Sequence, residues 1–438
     1  MDNKSQKIAV IGGGIAGLSA AWLLNQKYKV KVFEKADKYG GHANTVSLNI
    51  GSSKVQADTG FIVYNELNYP NLVALFNYFS IQTQTSDMSF SISSRAGNFE
   101  YSSKFPKGLF GQRTNLLRPW FWNMLFDIKR FYKNAPIDLR AGNLRGLTIR
   151  DYLDKEYYSY RFIVDHILPM GAAIWSSPSL DINNYPAESF VRFFESHNLL
   201  KLGQRSSWRT VSGGSRKYIE RLTANFTDKI FCNVNVKKII RNKNSVEVVD
   251  DKGNRDLFDD VILAVHADEA LKLICNPSKI ERQLLGKISY TCNSAFLHTD
   301  VNFMPKRKNV WASWNYINNQ HSNSIPPQVT YWISSLQNLS SPENLFLTLN
   351  PKNPPCPSKT FTSIKYHHPL FTSEALKSQR QLLQIQGKNK TWFCGSYFGH
   401  GFHEDALQSG LWVAEKIGKI KRPWSLPGQN DRLIAIND

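Results

Sequence analysis

Sulfur chemistry is thinly provided in this chain. Its 438 residues include five cysteines, Cys232, Cys275, Cys292, Cys356 and Cys394, and no two form a C-x-x-C pair. An odd count without that spacing argues against a zinc site or a disulfide framework, so no metal and a reducing, cytoplasmic setting are expected. Carboxylates are scarce as well: 35 Asp and Glu stand against 54 Lys and Arg, a formal charge of +19. Such a surface attracts anions (nucleic acid, anionic lipid headgroups or acidic small molecules) without choosing among them. Long apolar runs are also missing. The stretch Ile8–Leu24 comes nearest, but Gly12, Gly13, Gly14 and Gly17 interrupt it and a lysine-alternating segment follows. With no small-residue cleavage site evident, neither a signal peptide nor a membrane span is expected.

What remains is a globular composition, 42% apolar and 20% charged, on a chain long enough for two interleaved domains. Lys7–Ile11 reads as a buried strand, Ile15–Gln26 as a helix and Lys29–Glu34 as a second strand, a right-handed βαβ unit. Small residues (Ala16, Ser19, Ala20, Ala21) mark where the helix presses on a sheet. Further helices are expected over Asn68–Phe79, over Leu147–Pro169 with Thr148 as cap, around Ala267–Ile274 and over Glu404–Ile417. Ile230–Val249 reads as two strands about a turn at Asn242–Asn244, and Val261–Val265 and Thr391–Cys394 as short buried strands. Asn315–Leu339 and Leu345–Pro357, rich in Asn, Pro and Ser, read as loops and edge strands, and the residues from Arg422 onward as a tail.

The loop Gly12-Gly13-Gly14-Ile15-Ala16-Gly17 fits G-x-G-x-x-G between strand and helix. Gly12 permits the tight turn, Gly14 lets the backbone approach a pyrophosphate, and Gly17 lets the helix pack on the sheet. The helix N-terminus then offers free N–H groups and partial positive charge to the phosphates. Glu34 ends the second strand, 17 residues after Gly17, where a carboxylate accepts from both ribose hydroxyls. These features specify a dinucleotide without separating FAD from NAD.

The segments that follow do separate them. Gly40-Gly41-His42 after Glu34, Asp58-Thr59-Gly60, Gly213-Gly214 before a helix, Asn235-Val236 and Phe393-Cys394-Gly395 with Ala406–Gly410 resemble the motifs of the flavin amine oxidase and phytoene desaturase superfamily. The resemblance implies non-covalent FAD, held by Gly12, Gly14, Ile15, Ala16, Gly17, Glu34, Lys35, Gly41, His42, Thr59, Gly60, Val236, Gly395, Ser396, Glu404, Asp405 and Ala406. It implies an α/β fold: a doubly wound, Rossmann-like FAD domain from residues 1–80, 205–280 and 388–422, an inserted α+β substrate domain from 81–204 and 281–387, and a tail, 423–438. A helix N-terminus facing the pyrimidine end would stabilise the charge of the reduced flavin.

Longer stretches narrow the resemblance. Asp58–Asn65, Ser86–Phe90, Asn115–Phe121, Ala172–Ser176 and Gly399–Gly410 are similar to a bacterial set of FAD oxidoreductases that resembles the flavoprotein half of plant cyclopropane fatty acid synthases. That implies oxidation or desaturation of a fatty acyl chain of membrane phospholipid by hydride transfer to flavin N5, with a cyclopropane-synthase-like methyltransferase in the same pathway. Three departures weigh against ordinary amine oxidation. His42 stands where amine oxidases usually have arginine, and Ser396 where they often have an acid. The candidate strand Tyr290–Asp300 lacks the lysine that many use to hold a water near the flavin.

For catalysis, His400 and His403 lie in Tyr397–Asp405, between the last strand and the flavin-facing helix, as candidate acid/base groups near neutral pH. The plainer alternative is that they cap the helix, bond the flavin or fill space. Tyr64 and Asn65 are candidate pocket residues after Gly60, and Trp175 a candidate pocket wall; for each the alternative is core packing. Lys104–Lys133 carries seven basic residues, one acid and eight aromatics. It reads either as a helix on an anionic membrane, a peripheral placement on the inner face, or as a domain helix with a solvated basic back. No recognised RNA-binding motif accompanies it, so no nucleic acid is expected. The rival functions are a flavin amine oxidase acting on a small amine and a non-catalytic lipid escort protein.

Overall fold

The computed structural model describes residues 6–175, 182–200, 207–318 and 328–433. Ser176, residues 319–327 of the expected loop and residues 434–438 of the expected tail lie outside the described residues. Two sheets organise the chain. Along the sequence their strands are β1 (Lys7–Ile11), β2 (Lys29–Phe33), β3 (Phe90–Ser94), β4 (Phe99–Ser102), β5 (Ile230–Phe231) and β6 (Asp260–Leu263). Then follow β7 (Ser289–His298), β8 (Trp314–Asn318), β9 (Gln328–Trp332), β10 (Phe346–Leu349), β11 (Thr360–Leu370) and β12 (Thr391–Phe393). Four helices bear on the site: α1 (Ile15–Leu24), α2 (Pro70–Tyr78), α3 (Pro119–Ala141) and α4 (His403–Gly418).

The first sheet runs β5-β2-β1-β6-β12 and every pairing in it is parallel. Its inner strands β1 and β6 are nearly continuous apolar runs because both faces of the sheet are covered, while β2 keeps its alternating lysines. All ten residues of α1 are buried, for it lies between this sheet and α4. Two glycines permit that packing. A Cβ on Gly17 would fall 2.1 Å from the Gly12 carbonyl oxygen, and one on Gly410 would fall 2.1 Å from that of Ala16. The result is the α/β, Rossmann-like arrangement the glycine loop predicts.

The second sheet has seven strands in the order β11-β7-β10-β9-β8-β3-β4, antiparallel except for the parallel pair β3 and β8. Here the structure corrects the reading of Asn315–Leu339 and Leu345–Pro357 as loops and edges, because β8, β9 and β10 are interior strands. Their polar residues bond one another across the ladder. The Asn315 amide donates to the Thr330 carbonyl at 3.0 Å, and Ser91 Oγ donates to Asn315 Oδ1 at 2.7 Å. The Thr330 and Thr348 hydroxyls lie 2.9 Å apart, and His298 Nε2 lies 2.8 Å from Thr348 Oγ1. The alternate residues, Leu347, Tyr331, Trp314 and Phe90, align in register on the opposite face.

Two further readings change. Leu147–Pro169 is not one helix. Thr148 does cap Ile149–Lys155, in a capping box with Asp151, but Tyr157 takes a left-handed φ of +52° and ends the run. Ser159 caps the next segment, which passes into a π-helical turn over Ile163–Ile167. The described residues after Arg422 are packed rather than free. Trp424 stacks on Trp22 at 6.0 Å, Arg432 donates to the Asn68 carbonyl at 2.9 Å, and Leu433 is buried. Among the described residues no helix is long and apolar enough to cross a membrane.

Candidate active site

One cavity of about 1610 Å³ joins the two sheets. It is larger than the roughly 300–1,000 Å³ of a single small-ligand pocket and suits a dinucleotide with a second molecule beyond it.

Its first end lies at the C-terminal edge of the parallel sheet, where Gly12, Gly14, Ile15, Ala16, Glu34, Lys35 and Val236 line it. Three glycine-bearing segments interlock there. The Gly40 N–H donates to the Gly13 carbonyl at 2.7 Å, and the Phe61 N–H to the His42 carbonyl at 2.6 Å. A Cβ on Gly60 would lie 2.3 Å from the His42 oxygen, so no larger residue fits at that crossing. Glu34 accepts from the N–H groups of Gly13 and Ala36, each at 2.8 Å. Beneath the crossing, buried Asp58 accepts from Thr45 Oγ1, the Ser215 N–H and the Gln337 amide at 2.6, 2.9 and 2.8 Å. Burial outweighs these bonds and raises its pKa to about 6.

Two observations show that this end fits a nucleotide. A Cβ on Gly14 would meet no protein atom within 4 Å, leaving the backbone open to a pyrophosphate. His42 Nε2, on a cavity-lining side chain, is buried with no hydrogen-bond partner among the described residues. Burial and the neighbouring His368 hold the His42 pKa well below its usual value.

In the middle, Thr59, Gly60, Gly395, Ser396, His400, His403 and Ala406 line the cavity. The Gly-rich loop is held by Gln379, whose amide donates to the carbonyls of Tyr397 and Gly399 at 2.7 and 2.6 Å. The two histidines differ from expectation in one respect: burial lowers both pKa values to about 3. Each is a neutral imidazole, not a group titrating near neutrality. His403 also stacks on Phe61 at 4.0 Å and bonds the Tyr218 hydroxyl.

Five residues expected at the site are not cavity-lining. Tyr64 is buried in the core, edge-on to Phe76 at 5.3 Å. Gly17 acts only in helix packing, as above. The buried Glu404 carboxylate caps α2, accepting from the N–H groups of Asn71 and Leu72 at 2.9 Å each. Asp405 turns back to accept from the Phe402 N–H at 2.7 Å. The side chains of both acids thus close helix ends that would otherwise leave N–H groups unpaired. Trp175 does line the cavity, whereas Asn65 is buried away from it.

Other lining residues were not singled out from sequence. Tyr366 and His368 approach from β11; the Tyr366 hydroxyl lies 2.9 Å from Thr59 Oγ1 and accepts from the Asn44 amide at 3.0 Å. The run Tyr366-His367-His368 was the available signal. Beyond them the floor is the apolar row Leu347, Tyr331, Trp314 and Phe90, with Met170, Ala173 and Phe193 above. From β11 to β4 the sheet spans six strand spacings, about 29 Å. The described lining carboxylates are Glu34, Glu269 and Asp87, the last bonded to Ser313 beside Trp314. Glu269 pairs with Lys35 at 2.7 Å and Asp87 with Lys104 at 3.0 Å. Among the described residues no cluster of His, Cys, Asp or Glu is placed to hold a metal.

Comparison with solved structures finds the same fold in several enzymes. Putrescine oxidase bound to putrescine superposes with a TM-score of 0.67 at 15% identity, covering 94% of this chain and 98% of that one. A CLA-producing fatty acid isomerase from P. acnes gives 0.65 at 14% identity, covering 96% and 99%. Cyclohexylamine oxidase from Brevibacterium oxydans IH-35A gives 0.66 at 13% identity, covering 94% and 99%. No curated protein matches the sequence. Residues 15–347 match the family of flavin containing amine oxidoreductases. The chain belongs to that family and is an FAD-dependent oxidoreductase.

Proposed function

We propose that the substrate is a fatty acyl chain, phospholipid-linked, which the protein oxidises or desaturates. One observation carries this reading: the stretch of cavity between Tyr366 and Phe105 is floored by an apolar row and offers an ammonium no unpaired carboxylate among the described residues. A desolvated cation needs such a partner, whereas an alkyl chain needs only the apolar wall. The fold does not choose, since proteins named putrescine oxidase and fatty acid isomerase share it. The resemblance to the flavoprotein half of cyclopropane fatty acid synthases supports a modified acyl chain, and a cyclopropane-synthase-like methyltransferase acting in the same sequence of reactions.

In this reading Gly12, Gly14, Ile15 and Ala16 receive the pyrophosphate, Glu34 a ribose and Val236 the adenine. His42, Thr59, Gly60, Gly395, Ser396 and Ala406 border the flavin. Bound there, FAD supplies a two-electron acceptor for hydride. The chain's own part is to exclude water along the apolar row and to hold the substrate carbon beside His400, whose neutral imidazole is placed to hydrogen-bond and orient it. The test is anaerobic addition of phospholipids, cyclopropane-containing ones included, and of polyamines to the purified holoprotein, with flavin absorbance followed. Bleaching by lipid supports the reading. Bleaching by amines alone, with unchanged acyl chains in lipid mass spectra of cells lacking the gene, overturns it.

A further inference from the structure

The far end of the cavity reaches the surface beside a patch of a different kind. Phe105, which lines it, is 77% exposed, and Lys129, also lining it, is exposed. The Phe105 ring packs on Phe110 at 6.3 Å, and Phe110 on Trp122 at 5.9 Å, so the cavity rim continues onto the outer side of α3. The Trp122 indole N–H is satisfied by the Leu116 carbonyl at 3.0 Å, and the ring remains 48% exposed. Phe126, one turn further along α3, is 64% exposed, and Leu117 just before the helix is 85% exposed. The inner side of the same helix, Phe121, Met124, Ile128 and Phe131, is fully used in the core. One face of this helix thus packs on the core, and the other exposes apolar rings beside Lys129 and Lys133.

Charge says what covers the patch. Lys107, Arg113, Lys129 and Lys133 are exposed and form no ion pair among the described residues. The segment's one acid, Asp127, is buried and taken by Arg130 and by the Ser159 N–H at 2.9 Å each. Rings at headgroup depth ringed by cations are the arrangement by which a protein settles on an anionic bilayer. We propose that this patch docks on an anionic lipid surface, so that an acyl chain enters the cavity past Phe105 without crossing water. The purpose of such docking rests on the acyl-chain reading; the docking itself does not need turnover to be measured.

The experiment is co-sedimentation of the purified holoprotein with vesicles of phosphatidylglycerol and phosphatidylcholine, and of phosphatidylcholine alone. Binding is expected to the anionic vesicles, weakened by salt. It should fall at least about tenfold in the triple variant L117S/W122S/F126S, and likewise in K107E/R113E/K133E. Both variants alter exposed side chains, and unchanged flavin absorbance and melting temperature show that they fold. Failure of the wild type to bind anionic vesicles overturns the proposal, as does binding that neither variant changes. A lipid-free dimer that the first triple variant converts to a monomer assigns the patch to a second copy and overturns it too. Normal vesicle binding with no acyl oxidation leaves the docking standing and removes the substrate reading.

Discussion

Gly13 and Glu34 are joined by a 2.8 Å hydrogen bond from the glycine N–H to Glu34 Oε2, which ties the glycine loop to the end of the neighbouring strand. The carboxylate thus shapes the loop from its place on the cavity wall. Glu34→Ala is expected to weaken FAD binding about tenfold or more, since a hydrogen bond to a charged group is worth about 1.5–3 kcal/mol. Fluorescence titration of the apoprotein reads this, and unchanged affinity would reject it.

Gly410 sets the distance between α1 and α4. Gly410→Ala places a methyl group 2.1 Å from the Ala16 oxygen, so the helices must separate. A loss of about 1–3 kcal/mol is expected. Because Ala16 also lines the cavity, weaker FAD retention should accompany the lower melting temperature. A variant that melts with the wild type would show that the contact relaxes freely.

Acid should loosen the protein. Burial holds His298 and His368 at about 4 and His400 and His403 at about 3. The unfolded chain takes up these protons near pH 6.5, so the stability they carry is present above that value and is lost as pH falls toward 4. Asp58 and Asp405, raised to about 6, act in the opposite sense, since the folded state binds their protons first. Four groups against two give a net loss. The melting temperature is expected to drop by about 5 °C or more between pH 7 and pH 5, with flavin release. A flat profile would mean that these imidazoles stay hydrated.

His400 is the histidine of the pair to test at the chemical step. Its ring lies against Phe193 at the cavity wall, 6.0 Å between centroids, whereas His403 is stacked on Phe61 and bonded to Tyr218. His400→Gln should slow flavin reduction by the acyl substrate about 10²-fold while leaving flavin absorbance intact. Reduction at the wild-type rate would confine His400 to packing.

The nucleotide end was legible in sequence because its chemistry is local: a strand, a glycine loop, a helix and one acid all fall within residues 7–34. The substrate end was not. Asn315, Thr330 and Thr348 look like loop residues until their partners are known, and those partners lie on other strands. The capping role of Glu404 was hidden for the same reason: the N–H groups it caps belong to Asn71 and Leu72, over 300 positions away. Tyr64 follows a motif that does reach the cavity, but the brief strand Tyr64–Asn65 carries its ring into the core. The vicinity of a motif predicts where the backbone goes better than where a side chain points.

The polar row His298, Thr348, Thr330, Asn315 and Ser91 holds strand alignment from the side of the sheet that faces away from the cavity. A slip of one residue would turn these groups toward the channel and strand Leu347, Tyr331 and Trp314 behind it. Alternate residues of the same strands therefore carry separate duties, one set foldability and the other selectivity. Substrate range in such a protein can drift by exchange of channel-facing residues alone, with the sheet's alignment untouched.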